Sequence, residues 1–120
     1  VGTQSNDSVD YPDFAAAVCR SILKGESELG VLICGSGIGM SIAANKFPGI
    51  RAAAVESVEA AKLSKEHNNA NVLCIGARLL SEEKAMSIVD AWLSTPFSNG
   101  ERHCNRILKI KALEESLNKS

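Results

Sequence analysis

GVLICGSGIGMSIAANK, residues 30–46, is the stretch whose reading decides the fold. Val31, Leu32 and Ile33 form an apolar run that ends at Cys34. Gly35, Gly37 and Gly39 then alternate with Ser36 and Ile38, and from Met40 the apolar spacing turns helical through Ile42, Ala43 and Ala44. A buried strand, a glycine loop and the start of a helix account for that order. Glycine lets backbone approach a ligand closely, and the free N–H groups at a helix start attract anions. A cysteine on the last residue of the strand faces such a loop, which fits a nucleophile or base beside an oxyanion hole. The competing role is that of a small buried hydrophobe, and residue pattern alone leaves both open. Spacing excludes two other glycine loops. GSGIG is not the GxGxxG of dinucleotide sites, and no Gly-Lys-Ser/Thr follows to make a P-loop.

Upstream, residues 1–10 read as a loop, and Asp10-Tyr11-Pro12-Asp13 opens a helix with Asp10 as N-cap and Pro12 in the first turn. Phe14, Val18 and Ile22 recur at helical spacing until Gly25 terminates the helix. The first strand spans residues 29–34. Downstream, Phe47-Pro48-Gly49 is a turn, and residues 50–55 form a second strand. Ser57 caps a helix over residues 58–67 with Ala60, Ala61 and Leu63 on its apolar face, and Asn68-Asn69 ends it. A third strand over residues 71–75 runs into the loop Gly76-Ala77-Arg78. Ser81 caps a helix with the stripe Ala85, Ile88, Val89 and Trp92, and a last helix over residues 102–117 carries Ile107, Leu108, Ile110 and Leu113. Strands alternating with helices predict an α/β fold with a parallel sheet and right-handed crossovers. Ligands of such sheets bind outside the carboxyl ends of the strands. Cys34 and Arg78 fall there. His67 and Asn68 precede the third strand and fall at the opposite end, which makes a site within one subunit awkward; a neighbouring subunit could bring them in.

The 120 residues suffice for one domain, taken as residues 1–120, and 45% hydrophobic with 22% charged residues is ordinary for a globular protein. A net charge of −1 points to neither nucleic acid nor an anionic membrane, and no apolar run approaches the roughly 20 residues of a membrane span. Cys19, Cys34, Cys74 and Cys104 form neither a CxxC pair nor a zinc spacing. Reduced thiols in a cytoplasmic protein are expected, with Cys19 and Cys74 in the core. Three strands are few for a sheet covered on both faces. The chain is therefore expected to lack an N-terminal βαβ part, or to rely on a partner for cover.

DYPDFA, the glycine stretch continued as far as FPGIRAA, KEHNNANVLCIGAR, AWLSTPF and GERHCNRILKI occur in this order over nearly the whole chain. Together they resemble type B ribose-5-phosphate isomerase, whose scaffold is shared by isomerases of hexose phosphates. The resemblance implies a Rossmann-like three-layer α/β/α sandwich and an aldose–ketose isomerase of the non-oxidative pentose phosphate pathway. It implies an enediolate mechanism with no cofactor and no metal. It also implies a homodimer or homotetramer with the site shared between subunits. Isomerases of allose or galactose 6-phosphate, or an inactive sugar-phosphate-binding fragment, are the alternatives.

The same resemblance assigns roles. Cys34 stands at the position of the base, and Gly35, Ser36, Gly37 and Gly39 surround the enediolate oxygen, with Ser36 adding a hydroxyl. Tyr11 contacts the sugar. His67 opens the ring and Asn68 binds substrate hydroxyls. Arg78, Arg102 and Arg106 hold the phosphate, with His103 as a neighbour in support. Without the resemblance, His67 reads as a favourable charge at a helix C-terminus, and Arg102 with Arg106 as a solvated face. Some members use a glutamate where this chain has Met40, which leaves Cys34 as the base. An Asp-His pair that precedes these segments in complete members has no counterpart here. The segment before Arg102 is one residue longer than is common in the family.

Overall fold

The computed structural model describes residues 11–78 and 80–118. The expected opening loop and the Asp10 cap lie outside the described residues, as does the side chain of Tyr11. The elements run α1 (Tyr11–Leu23), β1 (Gly30–Cys34), α2 (Ile38–Ala44), β2 (Ala52–Ala54), α3 (Val58–Asn68), β3 (Val72–Gly76), α4 (Glu82–Ser94) and α5 (Glu101–Asn118). The three strands are all parallel in the order β1-β3-β2, with Gly30 opposite Val72, Cys34 opposite Gly76, and Ala52 opposite Val72. A Rossmann-like three-layer α/β/α arrangement results.

β3 is the centre of that arrangement because all five of its residues are buried. Val72 and Cys74 face one layer, where Ala15, Cys19, Leu32, Met40, Ala44 and Ile50 pack from α1, α2 and their neighbours. Leu73 and Ile75 face the other, with Val55, Ala61, Ile88 and Trp92 from the α3 and α4 side. Such alternation is what a strand buried on both faces requires. Trp92 is fully buried, and truncating a side chain of that kind costs about 3–5 kcal/mol.

The helix boundaries follow the capping chemistry. Ser57 accepts from the Ala60 N–H (3.1 Å) and Ser81 from the Lys84 N–H (3.2 Å), as predicted. Gly25 (φ 80°) ends α1, and Asn69 (φ 47°) ends α3 in the left-handed conformation that asparagine tolerates.

Three expectations shift. In α1 the fully buried positions are Ala15 and Cys19, with Phe14, Val18 and Ile22 flanking them, because α1 lies close enough to α2 to admit only small side chains at the contact. The second strand is only Ala52–Ala54. The Arg51 N–H donates to the Asn71 side chain (2.7 Å) instead of to a strand, and the Asn45 amide pairs with both backbone groups of Ala52 on the outer edge. Most of the apolar face of α5 is exposed, with Leu108, Ile110 and Leu113 each at least half accessible. Ile33, on the free edge strand β1, is 58% exposed as well. No helix among the described residues is long and apolar enough to cross a membrane.

One contact fixes how the glycine loop lies on the sheet. A Cβ at Gly76 would stand 2.7 Å from the backbone carbon and oxygen of Ser36. Backbone cannot yield as a flexible side chain does, so Gly76→Ala is expected to destabilise the fold by about 1–3 kcal/mol. A thermal melt tests this, and an unchanged melting temperature would mean that the loop moves freely away from β3.

Candidate active site

The sequence places Cys34 at the carboxyl end of β1 because an apolar run needs a break where the sheet ends. The structure shows what that break does. The Gly37 N–H donates to Cys34 Sγ at 3.1 Å. Gly37 adopts φ 81°, and a Cβ there would lie 3.1–3.3 Å from the backbone of Ile75 and Gly76, so the position has both a conformational and a steric need for glycine. Ser36 accepts from the Ile38 N–H (3.3 Å) and is exposed, and the loop is tied to β3 by the Ala77 N–H to the Cys34 carbonyl (2.6 Å) and the Arg78 N–H to the Gly35 carbonyl (3.0 Å). The Arg78 side chain lies over Gly35, where a Cβ would meet its Cδ and Nε at 3.4 Å. Cys34, Gly35, Ser36, Gly37 and Arg78 therefore form one cluster. Gly39 sits just beyond it, inside the first turn of α2.

The loop supplies an anion-favouring environment through aimed N–H groups. α2 has only seven residues, so the directed Gly37 hydrogen bond matters more here than a summed helix dipole. Gly37 is oriented toward the sulfur itself, the donor that a thiolate needs. Met40 is buried in the core on the α1–α2 side of the sheet. Cys74, by contrast, is a fully buried thiol pushed up to about 12, first by burial and then by Cys34 and Cys19 nearby. Burial also raises Cys19, whose Sγ points at the Ala44 carbonyl (3.8 Å). Both are core residues, as expected. Among the described residues no group of histidine, cysteine and carboxylate side chains has metal-site geometry.

A second cluster lies elsewhere. α3 runs antiparallel to the strands, so its last turn, with His67 and Asn68, ends near the amino end of β3. The first turns of α5 meet it there. The rings of His67 and His103 stack at 4.3 Å with 26° between planes. Arg102 and Arg106 share the α5 turns with His103, and both are exposed. The open concavity at this turn, about 530 Å³, is lined by Gly100, Glu101, Arg102, His103 and Asn105. The His103 imidazole is held below its ordinary value by desolvation, then by His67, Arg102 and Arg106, with Glu66 opposing.

The two clusters do not meet within one chain. A five-residue strand separates the two ends of the sheet by roughly 16 Å, far beyond hydrogen-bond reach. The structure thus brings Cys34, the glycine loop and Arg78 together, and separately His67, Arg102 and Arg106 around His103, while Asn68, next to His67 in the chain, lines a neighbouring groove with Asn45, Arg51 and Ile110.

Two residues escaped the sequence reading. Lys65 is buried and donates to the Trp92 carbonyl (3.1 Å) and the Thr95 carbonyl (3.4 Å), with its ammonium 4.5 Å from the Trp92 ring centre. Ser98 bonds the His103 ring (2.9 Å). Neither has a sequence signature, since a lysine in a helix and a serine in a loop usually face water.

Comparison with known proteins agrees with this architecture. The family model described as ribose/galactose isomerase matches residues 1–110. Ribose-5-phosphate isomerase B of Escherichia coli K12 is 46% identical over 117 residues, covering 98% of this chain and 78% of that protein. The solved type B ribose 5-phosphate isomerase of Leishmania infantum superposes with a TM-score of 0.95 at 52% identity, covering 98% of this chain and 76% of the other. The crystal structure of the Mycoplasma genitalium ribose-5-phosphate isomerase B with bound ribulose-5-phosphate gives a TM-score of 0.90 at 43% identity, covering 96% and 76%.

The contrast between thiols is directly measurable. Brief iodoacetamide treatment of the folded protein near pH 8 should label Cys34 and leave Cys19 and Cys74 unmodified, because a buried thiol offers neither access nor thiolate. Peptide mass spectrometry reads the sites, and labelling of Cys74 at a rate equal to that of Cys34 would contradict this assignment.

Proposed function

The chain belongs to the ribose/galactose isomerase family, and we propose that it interconverts ribose 5-phosphate and ribulose 5-phosphate with Cys34 as the proton-transfer base. It is an aldose–ketose isomerase by family. The observation that carries the catalytic reading is the Cys34 sulfur at the mouth of the glycine loop, accepting the Gly37 N–H.

The Cys34 thiolate takes the proton on C2 of the open-chain aldose. The electrons of that C–H bond form the C1–C2 double bond, and the C1 carbonyl oxygen becomes the oxyanion of an enediolate. Loop N–H groups around Gly35 and Ser36, with the Ser36 hydroxyl, stabilise this charge as it develops. Return of the proton from sulfur to C1, with a hydroxyl proton passing from O2 to O1, gives the ketose. Arg78 supplies a guanidinium beside the loop for the anionic substrate. Tyr11 is assigned to the sugar.

His67 and Asn68, for ring opening and hydroxyl binding, and Arg102 and Arg106, for phosphate, complete the site from a second subunit. An imidazole titrates in the range suited to passing a proton to a ring oxygen, and arginine forks match phosphate oxygens. The separation of the two clusters in one chain supports a homodimer or homotetramer with shared sites. So do the exposed apolar side chains of α5. The described unit is read as a single domain. The free state of all four cysteines agrees with a cytoplasmic location.

Cys34→Ala leaves little cavity and should fold normally while kcat for ribose 5-phosphate falls by about 10²–10⁴, the usual share of a general base. Near-normal turnover would remove Cys34 from this role. Faster turnover of allose or galactose 6-phosphate by the unsubstituted protein would replace the ribose reading with the hexose one.

Sharing of the site predicts complementation. Cys34→Ala and His67→Ala chains, each nearly inactive, should regain about a quarter of normal activity when co-refolded, because half the random dimers carry one intact site of two. Light scattering must show mixed oligomers in the same sample. Mixed oligomers without recovered activity, or a monomer, would overturn the shared site.

A further inference from the structure

We propose that Ser98 is a positioning residue for the phosphate side of the site, fixing the His103 imidazole as its Nε2–H tautomer against His67. The proposal rests on the reading of the Arg102 turn as phosphate-binding. It begins with the hydrogen-bond inventory of one hydroxyl. Ser98 Oγ accepts the Gly100 N–H (3.2 Å) and lies 2.9 Å from His103 Nδ1. A serine hydroxyl has one proton to give. Donating it to Nδ1 uses donor and acceptor together, whereas accepting from an Nδ1–H would leave the hydroxyl proton to solvent. With Nδ1 as the acceptor, the proton of the neutral ring resides on Nε2.

The local backbone is built around this contact. Asn99 takes φ 58°, turning the chain back so that Ser98 reaches its own helix start. Gly100 packs directly beside the contact, where a Cβ would lie within ordinary van der Waals distance of both His103 Nδ1 and Ser98 Oγ. The Ser98 N–H is tied to the Glu66 carbonyl of α3 (3.1 Å), one residue before His67. A single residue therefore links the last turn of α3 to the ring that stacks on His67. The groups facing the histidine pair are Glu66 on α3, with Oε1 4.0 Å from His67 Nε2, and Arg102 and Arg106 on α5. Beside two guanidinium groups, an Nε2–H presents an anion with a donor, where the other tautomer would present a lone pair.

The test has a readout that does not depend on turnover. Nitrogen-15 shifts of labelled histidine in the full chain, recorded where the imidazoles are neutral, report the tautomer. His103 should be the Nε2–H form in the unsubstituted protein and a mixture in Ser98→Ala. The KM for ribose 5-phosphate should rise about three- to tenfold in Ser98→Ala, the loss expected of one hydrogen bond, with kcat changed less than about twofold. Ser98→Thr should restore both. A protein that merely lost loop stability would instead show a lower melting temperature with no tautomer change. That result, an Nδ1–H ring in the unsubstituted chain, an unchanged KM, or failure of Ser98→Thr to restore either readout would overturn the proposal. If the unsubstituted protein has no turnover, the ribose reading fails by itself. The tautomer then decides whether Ser98 holds the ring, and an unchanged affinity for inorganic phosphate in Ser98→Ala overturns its role on the phosphate side.

Discussion

The close approach of Gly76 to the Ser36 backbone is the constraint on which the Cys34 cluster depends. At this point the chain of β3 and the loop after β1 touch backbone to backbone, with no room for a methyl group. The hydrogen bonds from Ala77 to the Cys34 carbonyl and from Arg78 to the Gly35 carbonyl then follow, and they hold the loop over the end of the sheet. With the loop held there, the Gly37 N–H reaches the sulfur and the Arg78 side chain lies across Gly35. The same packing that stabilises the loop thus also orients it.

The parallel sheet has a second consequence. Every strand in it points the same way, so each returning helix ends at the amino edge. A residue on the last turn of such a helix cannot reach a cysteine at the carboxyl edge of the same chain. His67 and Asn68 are in that position, and α5 brings its basic turn to them instead of to Cys34. The geometry of one fold class therefore keeps the two clusters apart within a chain, the separation that the proposed sharing of a site between subunits would bridge.

The basic turn is kept in place by polar contacts of unequal burial and strength. Lys65 gives up hydration to reach two carbonyls at the end of α4 and the face of Trp92. Hydrogen bonds from a charged donor contribute about 1.5–3 kcal/mol each, and they act against the desolvation that lowers its proton affinity. Farther along the same connection, Ser98 makes exposed and weaker bonds. The connection is firmly anchored where it leaves α4 and finely adjusted where it enters α5.

Much of this was legible in the sequence because it depends on local chemistry. The apolar run ending at Cys34, the serine caps at 57 and 81, and the terminators Gly25 and Asn69 act within a few residues, and each formed as read. Strand–helix alternation dictated the parallel α/β class. The order of segments disclosed the family. Other features depend on which distant atoms come into contact, and only the tertiary structure decided those. The second strand starts only at Ala52 because the side chain of Asn71 takes the Arg51 N–H. Ala15 and Cys19 took the fully buried positions of α1, with Phe14, Val18 and Ile22 packed around them, because of where α2 lies. Gly37 turned toward the sulfur, Lys65 went inward to cap α4, and Ser98 found His103. A hydrogen bond across a fold is set by the meeting of two surfaces, and neither surface carries a sequence pattern that names the other.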